Sequence, residues 1–600
     1  MIVAELNREH RKVIERPLNR AVYQQALAEG VHPLLARILA GRLDSGVVSV
    51  SALINPGLQQ LANPELLADI QPAVKRLQQA LQEQQQIGIL TDYDVDGITS
   101  HVVIYRTLTE YLGVAPARIS SLIGHRMQDG YGVSDSLVNR ILSNSPRPQL
   151  IITADCGSSD EARIARLKAA GIDVLVTDHH ALPKEGPPPS AFAVINPTRD
   201  DCAYPDKTLA GCAVAWLLMS ALRNACVTSG WVPATTPKLS ALLPFVALGT
   251  VADCVSLGAS AINRALVRVG LELMNASTAP CWEAFRQLMG SNHQAFTATT
   301  LGFQLGPRIN ARSRMADPYA ALHFLLAEQI EAASYQLQLL DSDNQDRRLV
   351  EKEMVHSAMA AAEQQVAAGL QSLVAYVEDG HSGVQGIVAS RLVEQHGRPT
   401  VVLTPAADEG QLSASARSVP GIHIRDALQR VDDYHPGLLV RFGGHQGAAG
   451  LTLWKDKLVI FQQAFERAIC VQLGDRRLSP CIYTDGELGA GLLSLDTLNL
   501  IQTLEPFGRE FDAPLFAGVF RVDSLRVVGA DPVHLLLQLS VDGDGQMHKG
   551  IWFRALPHAG AELPFQAGDL IRIAYQLEEN IFRDRRSLQL NISQAAVVVT

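Results

Sequence analysis

The stretch Ile87-Gly-Ile-Leu-Thr-Asp-Tyr-Asp-Val-Asp-Gly-Ile-Thr99 decides the fold of this chain. Its first residues form a short apolar run that is typical of a buried strand. Three carboxylates follow at alternate positions, Asp92, Asp94 and Asp96, and a long apolar run compatible with a helix comes next. Three acids on one strand-exit loop repel each other unless a cation lies between them, and hard divalent cations prefer carboxylate oxygens. The alternative is a solvated acidic turn, which the dipole of the following helix would also favour.

The composition indicates a multidomain globular protein. A chain of 600 residues is too long for one hydrophobic core, so we expect about three to four domains. No apolar run is seen to reach the roughly 18 residues of a membrane span, and residues 1–12 lack the apolar centre of a signal peptide. The eight cysteines form no Cys-x-x-Cys pair, which predicts reduced thiols in a cytoplasmic protein. The net charge of -10 argues mildly against bulk affinity for nucleic acid but allows a locally basic groove.

Two further strand-like runs deliver polar residues at their ends. Leu150–Thr153 leads into Asp155, and the run 172–177 leads into Asp178, His179 and His180. The alternation of strands with helical segments predicts a parallel α/β sheet. Ligands bind such sheets at the carboxyl ends of the strands, so we expect these side chains to share one edge.

The residues at the ends of the predicted elements form a candidate metal site. Its expected ligands are Asp94, Asp96, Asp155, His179 and Asp253. An oxygen and nitrogen set without sulfur suits Mn²⁺ or Mg²⁺ better than structural zinc, and the number of acids suggests two ions. Two-metal sites activate water and stabilise the leaving oxygen in phosphoryl transfer. A single Asp at a strand end is usually a helix cap, but this joint occurrence is much less expected by chance.

Asp155, Asp178 and His180, which all follow predicted strands, are predicted to act in catalysis. Asp155 is a plausible bridge between two ions because it comes from its own strand between the others. His180 can donate to a scissile phosphate, and Asp178 can orient a neighbouring imidazole.

Candidate phosphate-binding residues lie further along the chain. Arg308 and Asn310 follow a Gly-Pro pair, which predicts a turn, and arginine suits phosphate through its planar fork. The run Gly443-Gly444-His445 offers backbone amides and an imidazole. Ser415 and Arg417 alternate on a predicted strand and could line a groove. A solvated basic loop or a tight turn is the alternative for each.

These motifs resemble those of a known family. Asp94-Val-Asp96-Gly, Asp155-Cys-Gly, Asp178-His-His and Ala252-Asp253 are similar, in this order, to the motifs of the DHH phosphoesterase family. Four further motifs resemble those of the RecJ branch, the single-strand-specific DNA exonucleases. They are Leu305-Gly-Pro-Arg-Ile-Asn310, Ser390-Arg391, Ser415-Ala-Arg417 and Gly443-Gly444-His445. Departures at Cys156, Arg312-Ser313 and Gln446-Gly447 suggest a divergent member.

The resemblance implies a metal-dependent 5′–3′ exonuclease that hydrolyses single-stranded DNA to mononucleotides in repair and recombination. It implies the five metal ligands named above, with His180 and Arg308 at the phosphate. It adds Arg391 to the substrate-binding residues. The implied partner is single-stranded DNA, with a single-strand-binding protein or a helicase as a further candidate.

The expected fold is α/β with five segments. They are an N-terminal extension (1–50), a parallel-sheet DHH domain (51–318), a long helical connector (319–366), a smaller α/β DHHA1 domain (367–473) and an all-β OB-fold that binds single strands (480–600).

Two other functions stay open at this point. One is a DHH phosphodiesterase for short oligonucleotides or cyclic dinucleotides, which would not need an additional strand-binding domain. The other is an inactive scaffold in a replication complex, which we would expect to have lost metal ligands. The length of the chain and its complete set of acids favour the exonuclease.

The run Phe582-Arg583-Asp-Arg585-Arg586 predicts a basic hairpin tip that holds the strand. An ordinary basic turn is the alternative. Changing the three arginines together to Ala should weaken binding of long single strands and reduce the salt dependence by roughly 0.7 units for each lost phosphate contact. Cleavage of very short oligonucleotides should hardly change. Unchanged affinity and salt slope for long strands, measured by fluorescence anisotropy, would show that the tip is ordinary surface.

Overall fold

The computed structural model describes residues 11–43, 49–126, 128–258, 260–290, 295–315, 317–530, 532–541, 546–582 and 585–598. Arg583 and Asp584 of the predicted basic tip lie outside these residues. The strands are β1 Lys12–Glu15, β2 Ile87–Thr91, β3 Ile119–Ile123, β4 Leu150–Ala154, β5 Asp173–Thr177, β6 Ala193–Ile195, β7 Leu373–Tyr376, β8 Thr400–Pro405, β9 Gln411–Arg417, β10 Leu439–Gly444, β11 Ala448–Trp454, β12 Cys481–Thr484, β13 Phe516–Val528, β14 His534–Ser540, β15 Met547–Trp552, β16 Leu570–Phe582 and β17 Arg585–Val597.

The α-helices are α1 Arg20–Ala28, α2 Pro33–Ala40, α3 Ser51–Ile54, α4 Ile70–Gln82, α5 Val95–Arg106, α6 Asp135–Ser143, α7 Glu161–Ala169, α8 Gly211–Thr228, α9 Leu243–Ala252, α10 Ala261–Ala276, α11 Pro280–Met289, α12 Ala298–Thr300, α13 Gly306–Met315, α14 Tyr319–Leu326, α15 Ile330–Ala367, α16 Gln385–His396, α17 Ile424–Tyr434, α18 Leu458–Leu473 and α19 Leu495–Gln502. The chain forms two compact units. The first unit comprises 46–345 and 504–512, and the second comprises 1–45, 346–503 and 513–600. The five predicted segment boundaries stay predictions.

A parallel five-stranded sheet in the order β3-β2-β4-β5-β6 forms the centre of the first unit. Strands β2 and β4 are buried along their whole length, as expected for a parallel sheet covered on both faces. The register aligns Thr91 with Ala154 and Ala154 with Thr177, so β2, β4 and β5 end together. This arrangement confirms the predicted α/β fold and brings the loops after these strands to one edge.

Helix α8 is the one helix among the described residues that is long and apolar enough to cross a membrane. It spans 18 residues, most of them buried inside the first unit, as in the core helix of a globular domain. The expectation that no apolar segment reaches the length of a membrane span was therefore wrong for α8. The length alone is weak evidence for a membrane span.

The predicted turn at Gly306-Pro307 was wrong. These residues begin α13, which continues directly from a π-helical turn at Leu301–Leu305. Proline is tolerated in the first turn of a helix, and just before it the Gly306 N–H donates to the carbonyl oxygen of Leu301, so the regular α-helical hydrogen bonding is interrupted there. A second difference concerns the predicted all-β region after residue 480, because Leu495–Gln502 is helical.

The second unit contains an α/β sheet and a barrel. The sheet has the order β10-β11-β9-β8-β7 and packs α17 and α18 against one face. The closed barrel has the order β13-β14-β15-β17-β16, which confirms the predicted C-terminal β domain. Strand β1 pairs in parallel with β12, so part of the predicted N-terminal extension joins this unit. The long α15 confirms the predicted helical connector.

Residues 504–512 pack into the first unit, far in sequence from its other residues. Arg264 of α10 is fully buried and donates to three carbonyl oxygens: Leu53 at 3.0 Å, Pro506 at 3.0 Å and Leu504 at 2.7 Å. Burial lowers the pKa of Arg264 to about 10, so the guanidinium is still charged at neutral pH. This buried cation therefore ties the segment to α10.

We expect Arg264→Ala to destabilise the first unit by about 3 kcal/mol, because three buried carbonyl oxygens lose a charged donor. Native-state hydrogen exchange of residues 504–512 measures this free energy locally. The control is Arg268→Ala one turn further on, where a partly exposed arginine pairs with Glu272 and donates to the carbonyl oxygen of Ile54 at 2.9 Å, both outside residues 504–512. Its loss should cost below about 1 kcal/mol. Equal protection of the segment in both variants would contradict the anchoring role of Arg264.

Candidate active site

The N-cap and the first turn of α5 hold the first two predicted ligands. Asp94 caps α5, because its Oδ1 accepts the N–H groups of Asp96 at 3.0 Å and Gly97 at 3.1 Å. Asp96 is buried, and its two oxygens accept the N–H groups of Gly211 at 2.6 Å and Cys212 at 2.9 Å. These amides begin α8, so the positive end of that helix stabilises the Asp96 carboxylate.

The predicted ligands from the other strands meet Asp96 at the same edge. Asp155 follows β4 in the left-handed region, with a φ of 61°, and its Oδ1 lies 3.1 Å from Nε2 of His179. The same nitrogen is 3.8 Å from Asp96 Oδ2 and 3.6 Å from Asp253 Oδ2. Asp253 caps the carboxyl end of α9. The sheet edge therefore gathers three acids around one imidazole.

The three residues predicted to be catalytic are also neighbours. Oδ1 of Asp178 accepts the backbone N–H of His180 and lies 2.8 Å from its Nδ1, while Oδ2 accepts the N–H of Ser158 at 3.0 Å. The hydroxyl of Tyr131 lies 2.9 Å from the same Nδ1 and donates to the carbonyl oxygen of Asp155 at 3.2 Å. Asp178 and Tyr131 thus fix the orientation of His180.

Burial and charge determine the protonation of the two imidazoles. Burial lowers the pKa of His179, which favours the neutral form that binds metals. Burial is the largest single influence on His180 and would lower its pKa, but the hydrogen bond to Asp178 and the charges of Asp178, Asp253 and Asp94 together outweigh it and raise that pKa to about 9. For Asp178, burial opposes ionisation, yet its contacts with His180 hold the pKa below the usual range. His180 and Asp178 therefore form a charged pair at neutral pH.

The remaining acids lie so close together that their negative charges repel one another, which favours binding of divalent cations. Burial, followed by repulsion from neighbouring carboxylates, raises the pKa values of Asp92, Asp155 and Asp253 well above the usual range. Three groups have ligand atoms within 4.8 Å of one another: Asp155 with His179 and His180, Asp96 with His179 and Asp253, and Asp92 with Asp94 and Asp155. Because the donors are oxygen and nitrogen and Asp155 is shared, the residues fit two hard cations.

Sequence reasoning missed four residues that shape this site. Asp92 was noticed in the acidic stretch but not assigned, although it lies beside Asp94 and Asp155. Tyr131 comes from a loop with no recognised motif. Gly211 and Gly249 make room, because a Cβ would lie 3.0 Å and 2.8 Å, respectively, from oxygens of Asp96. Only the alternation of acids in the stretch 92–96 could have identified one of them from sequence.

The two predicted phosphate-binding residues of the first unit are Arg308 and Asn310. Asn310 contacts the start of α5, directly after Asp94. Its Oδ1 accepts the N–H of Val95 at 3.2 Å. Arg308 instead donates to Asp341 at 2.7 Å and to the carbonyl oxygen of Gln304 at 2.7 Å. Asn310 therefore supports the turn that carries Asp94, while Arg308 is held in an ion pair.

In the second unit, most of the predicted substrate-binding residues lie on neighbouring strands. Gly443, Gly450 and Ser415 are in register across β10, β11 and β9, and Ser415 Oγ accepts from Arg417 Nη1 at 3.1 Å. Gly444 has a φ of 145°, and a Cβ there would meet the Ala448 carbonyl oxygen at 2.4 Å.

His445 and Arg391 are the last two predicted substrate-binding residues of the second unit. The backbone N–H of His445 donates to the carbonyl oxygen of Ala448 at 2.8 Å. Arg391 lies on α16 and pairs with Glu351 at 3.1 Å and Glu394 at 3.0 Å. The roles of all the predicted site residues stay predictions.

Comparison with known proteins identifies the family. Models of the DHH family N-terminal domain, the DHHA1 domain and the RecJ OB domain match residues 86–250, 369–470 and 484–594. The single-stranded-DNA-specific exonuclease RecJ of Dickeya dadantii is 37% identical over 97% of this chain and 99% of its own length. This chain belongs to the RecJ family.

Solved structures of RecJ agree with this membership. RecJ of Thermus thermophilus in complex with Mn²⁺ superposes with a TM-score of 0.76 and 26% identity, covering 99% of this chain and 81% of that chain. The same protein in complex with Mg²⁺ gives a TM-score of 0.72 and 25% identity, covering 99% and 80%. The RecJ likeness thus spans both units.

We expect Gly249→Ala to disturb the position of Asp96, because Gly249 of α9 packs against this carboxylate. The added Cβ would lie 2.3 Å from Thr99 Oγ1, 2.6 Å from Cys212 Sγ and 2.8 Å from Asp96 Oδ1, so the packing of α9 against Asp96 must shift. Mn²⁺ affinity, measured by titration calorimetry, should fall by about 10-fold or more, as for other changes behind metal ligands. Gly302→Ala is the control, because its nearest neighbour is Val251 Cγ1 at 3.4 Å. Equal Mn²⁺ affinity in both variants would show that Asp96 does not depend on this space.

Proposed function

We propose that this chain is a metal-dependent exonuclease that hydrolyses single-stranded DNA from the 5′ end to mononucleotides, in DNA repair and recombination. The observation that carries the proposal is the convergence of Asp96, Asp155, His179 and Asp253 at one sheet edge in a member of the RecJ family. The metal-bound structures of the T. thermophilus relative support Mn²⁺ or Mg²⁺ as the cofactor. Single-stranded DNA is the proposed substrate.

Divalent ions held by Asp94, Asp96, Asp155, His179 and Asp253 would supply the charge that activates water and stabilises a leaving oxygen. The chain itself holds these groups rigidly, since α8 fixes Asp96 through two N–H groups and Asn310 fixes the start of α5. Such preorganised dipoles need no rearrangement during the reaction.

His180 is proposed to donate to a non-bridging oxygen of the scissile phosphate. Asp178 and Tyr131 hold its Nδ1, so the ring is oriented, and the ion pair with Asp178 keeps the ring charged. A charged donor stabilises the extra negative charge that develops on the phosphate during hydrolysis. Arg308, in the first unit, is proposed to act at the phosphate with His180. In the second unit, the residues proposed to bind the strand are Arg391, Ser415, Arg417, Gly443, Gly444 and His445.

The two alternatives have less support. An enzyme for short oligonucleotides or cyclic dinucleotides has no need of the C-terminal barrel, which matches the RecJ OB domain. An inactive scaffold would not be expected to keep the predicted ligands, and this chain keeps all of them. We place the protein in the cytoplasm and expect its protein partner to be a single-strand-binding protein or a helicase.

A direct assay tests the function and its polarity. Single strands labelled at the 5′ or the 3′ end are incubated with Mn²⁺ or with EDTA, beside a blunt duplex. The proposal requires cleavage of the single strand with Mn²⁺ alone and immediate release of the 5′ label as a mononucleotide. A cyclic dinucleotide and a very short oligonucleotide are tested alongside. Cleavage confined to these two substrates would support the first alternative, and no cleavage of any substrate with Mn²⁺ would support the scaffold.

We expect Asp155→Ala to abolish this cleavage without unfolding the protein. Removing the shared carboxylate costs several kcal/mol of transition-state stabilisation, whereas the fold loses a group whose buried charge is repelled by its neighbours. Turnover at saturating Mn²⁺ and the melting temperature are the measurements. Asp200→Ala, at an exposed acid in the same unit, is the control. Near-normal turnover of the Asp155 variant would contradict the two-metal assignment.

A further inference from the structure

The segment 504–512 contacts the loop that carries Asp253. The N–H of Leu257 donates to the carbonyl oxygen of Arg509 at 3.0 Å, and Arg509 Nη1 donates to the carbonyl oxygen of Cys254 at 3.3 Å. Ser256 Oγ lies 2.5 Å from Glu510 Oε2. Because Cys254 directly follows Asp253, these contacts bring the Arg509 guanidinium to the rim of the acidic site.

The backbone on both sides of Arg509 is fixed. Gly508 and Phe511 exchange two backbone hydrogen bonds of 3.0 Å, which closes a tight turn with Arg509 and Glu510 at its tip. The buried guanidinium of Arg264 stacks 4.1 Å from the Phe511 ring and holds the carbonyl oxygens before the turn. The base of the Arg509 side chain therefore has a defined position at the site.

The two arginines of this cluster differ in burial, which separates their roles. Arg264 is fully buried and anchors the segment, whereas the Arg509 side chain is 62% exposed. Its Nε lies 3.9 Å from Glu510 Oε1, and the Glu510 carboxylate also contacts Ser256. Anchoring does not need a second, exposed arginine. An exposed guanidinium has five N–H donors and keeps donors available for a ligand.

We propose that Arg509 is a positioning residue that holds a backbone phosphate of the single strand beside the scissile one. This inference rests on the proposed function. A guanidinium binds phosphate oxygens through two parallel N–H bonds, and at this place it offers positive charge on the rim of an acidic centre. Arg509 therefore steers the strand past the acidic centre and fixes its register.

The test compares Arg509→Gln with Arg509→Lys and with Arg147→Gln. Arg147 is an exposed arginine that donates to the carbonyl oxygen of Leu142 and precedes β4, at the opposite edge of the sheet. KM and kcat are measured on a 5′-labelled single strand with Mn²⁺. Binding of the same strand is measured by fluorescence anisotropy in EDTA over a range of salt concentrations.

We expect Arg509→Gln to raise KM about 10-fold, as for the loss of one charged hydrogen bond, with kcat within about threefold of wild type. The salt slope of binding should become less steep by roughly 0.7 units, the value for one phosphate contact on a single strand. Arg509→Lys should keep the salt slope and recover part of KM. Arg147→Gln should change neither quantity.

Three results would overturn the proposal. An unchanged salt slope with a lowered kcat and melting temperature would mean that Arg509 only supports the loop 253–258. An equal change in Arg147→Gln would mean a general charge effect, and unchanged KM and slope would remove any role in binding. Absence of cleavage by the wild-type protein would contradict the proposed function instead, and the anisotropy measurement would still decide whether Arg509 contacts a strand.

Discussion

Electrostatic repulsion among buried carboxylates is the constraint on which the first unit depends. Asp92, Asp96, Asp155 and Asp253 are brought together where burial penalises each charge, and specific hydrogen bonds offset part of that cost. The N-terminus of α8 supplies two N–H groups to Asp96. The parallel register of β2, β4 and β5 then determines how close the other acids lie. Divalent cations remove the remaining repulsion, so metal affinity and the cost of folding are two aspects of the same arrangement.

The sequence predicts this edge well because the signal is local. A strand that ends in an acid needs only a few neighbouring residues to be recognised, and parallel strands bring their carboxyl ends together without further information. Asp155 and His179 were placed correctly for this reason. The short strand β3, with two serines, and the three-residue β6 have no such pattern, and pairing in the sheet alone makes them strands.

What the sequence cannot predict here depends on contacts between distant residues. Nothing near Gly211 indicates that its N–H binds Asp96, because the two residues are far apart in the chain and meet only in the folded unit. The same holds for Arg308, whose partner Asp341 lies on another helix. At Gly306-Pro307 the local signal itself was misleading, since a π-helical turn let the helix accept a proline that usually marks a turn. Local patterns identified the charged residues, but their partners required the tertiary structure.

The position of residues 504–512 has a consequence for synthesis of the chain. They complete a unit whose other residues end at Gln345, so the ribosome must add on the order of 160 further residues before the unit is whole. At roughly 5–20 residues per second this takes on the order of ten seconds. During that time the sheet and its acids can form, while Arg264 lacks two of its three carbonyl partners and the loop after Asp253 lacks its neighbour. The rim of the site is therefore assembled late, and a chain released early would carry the acids without it.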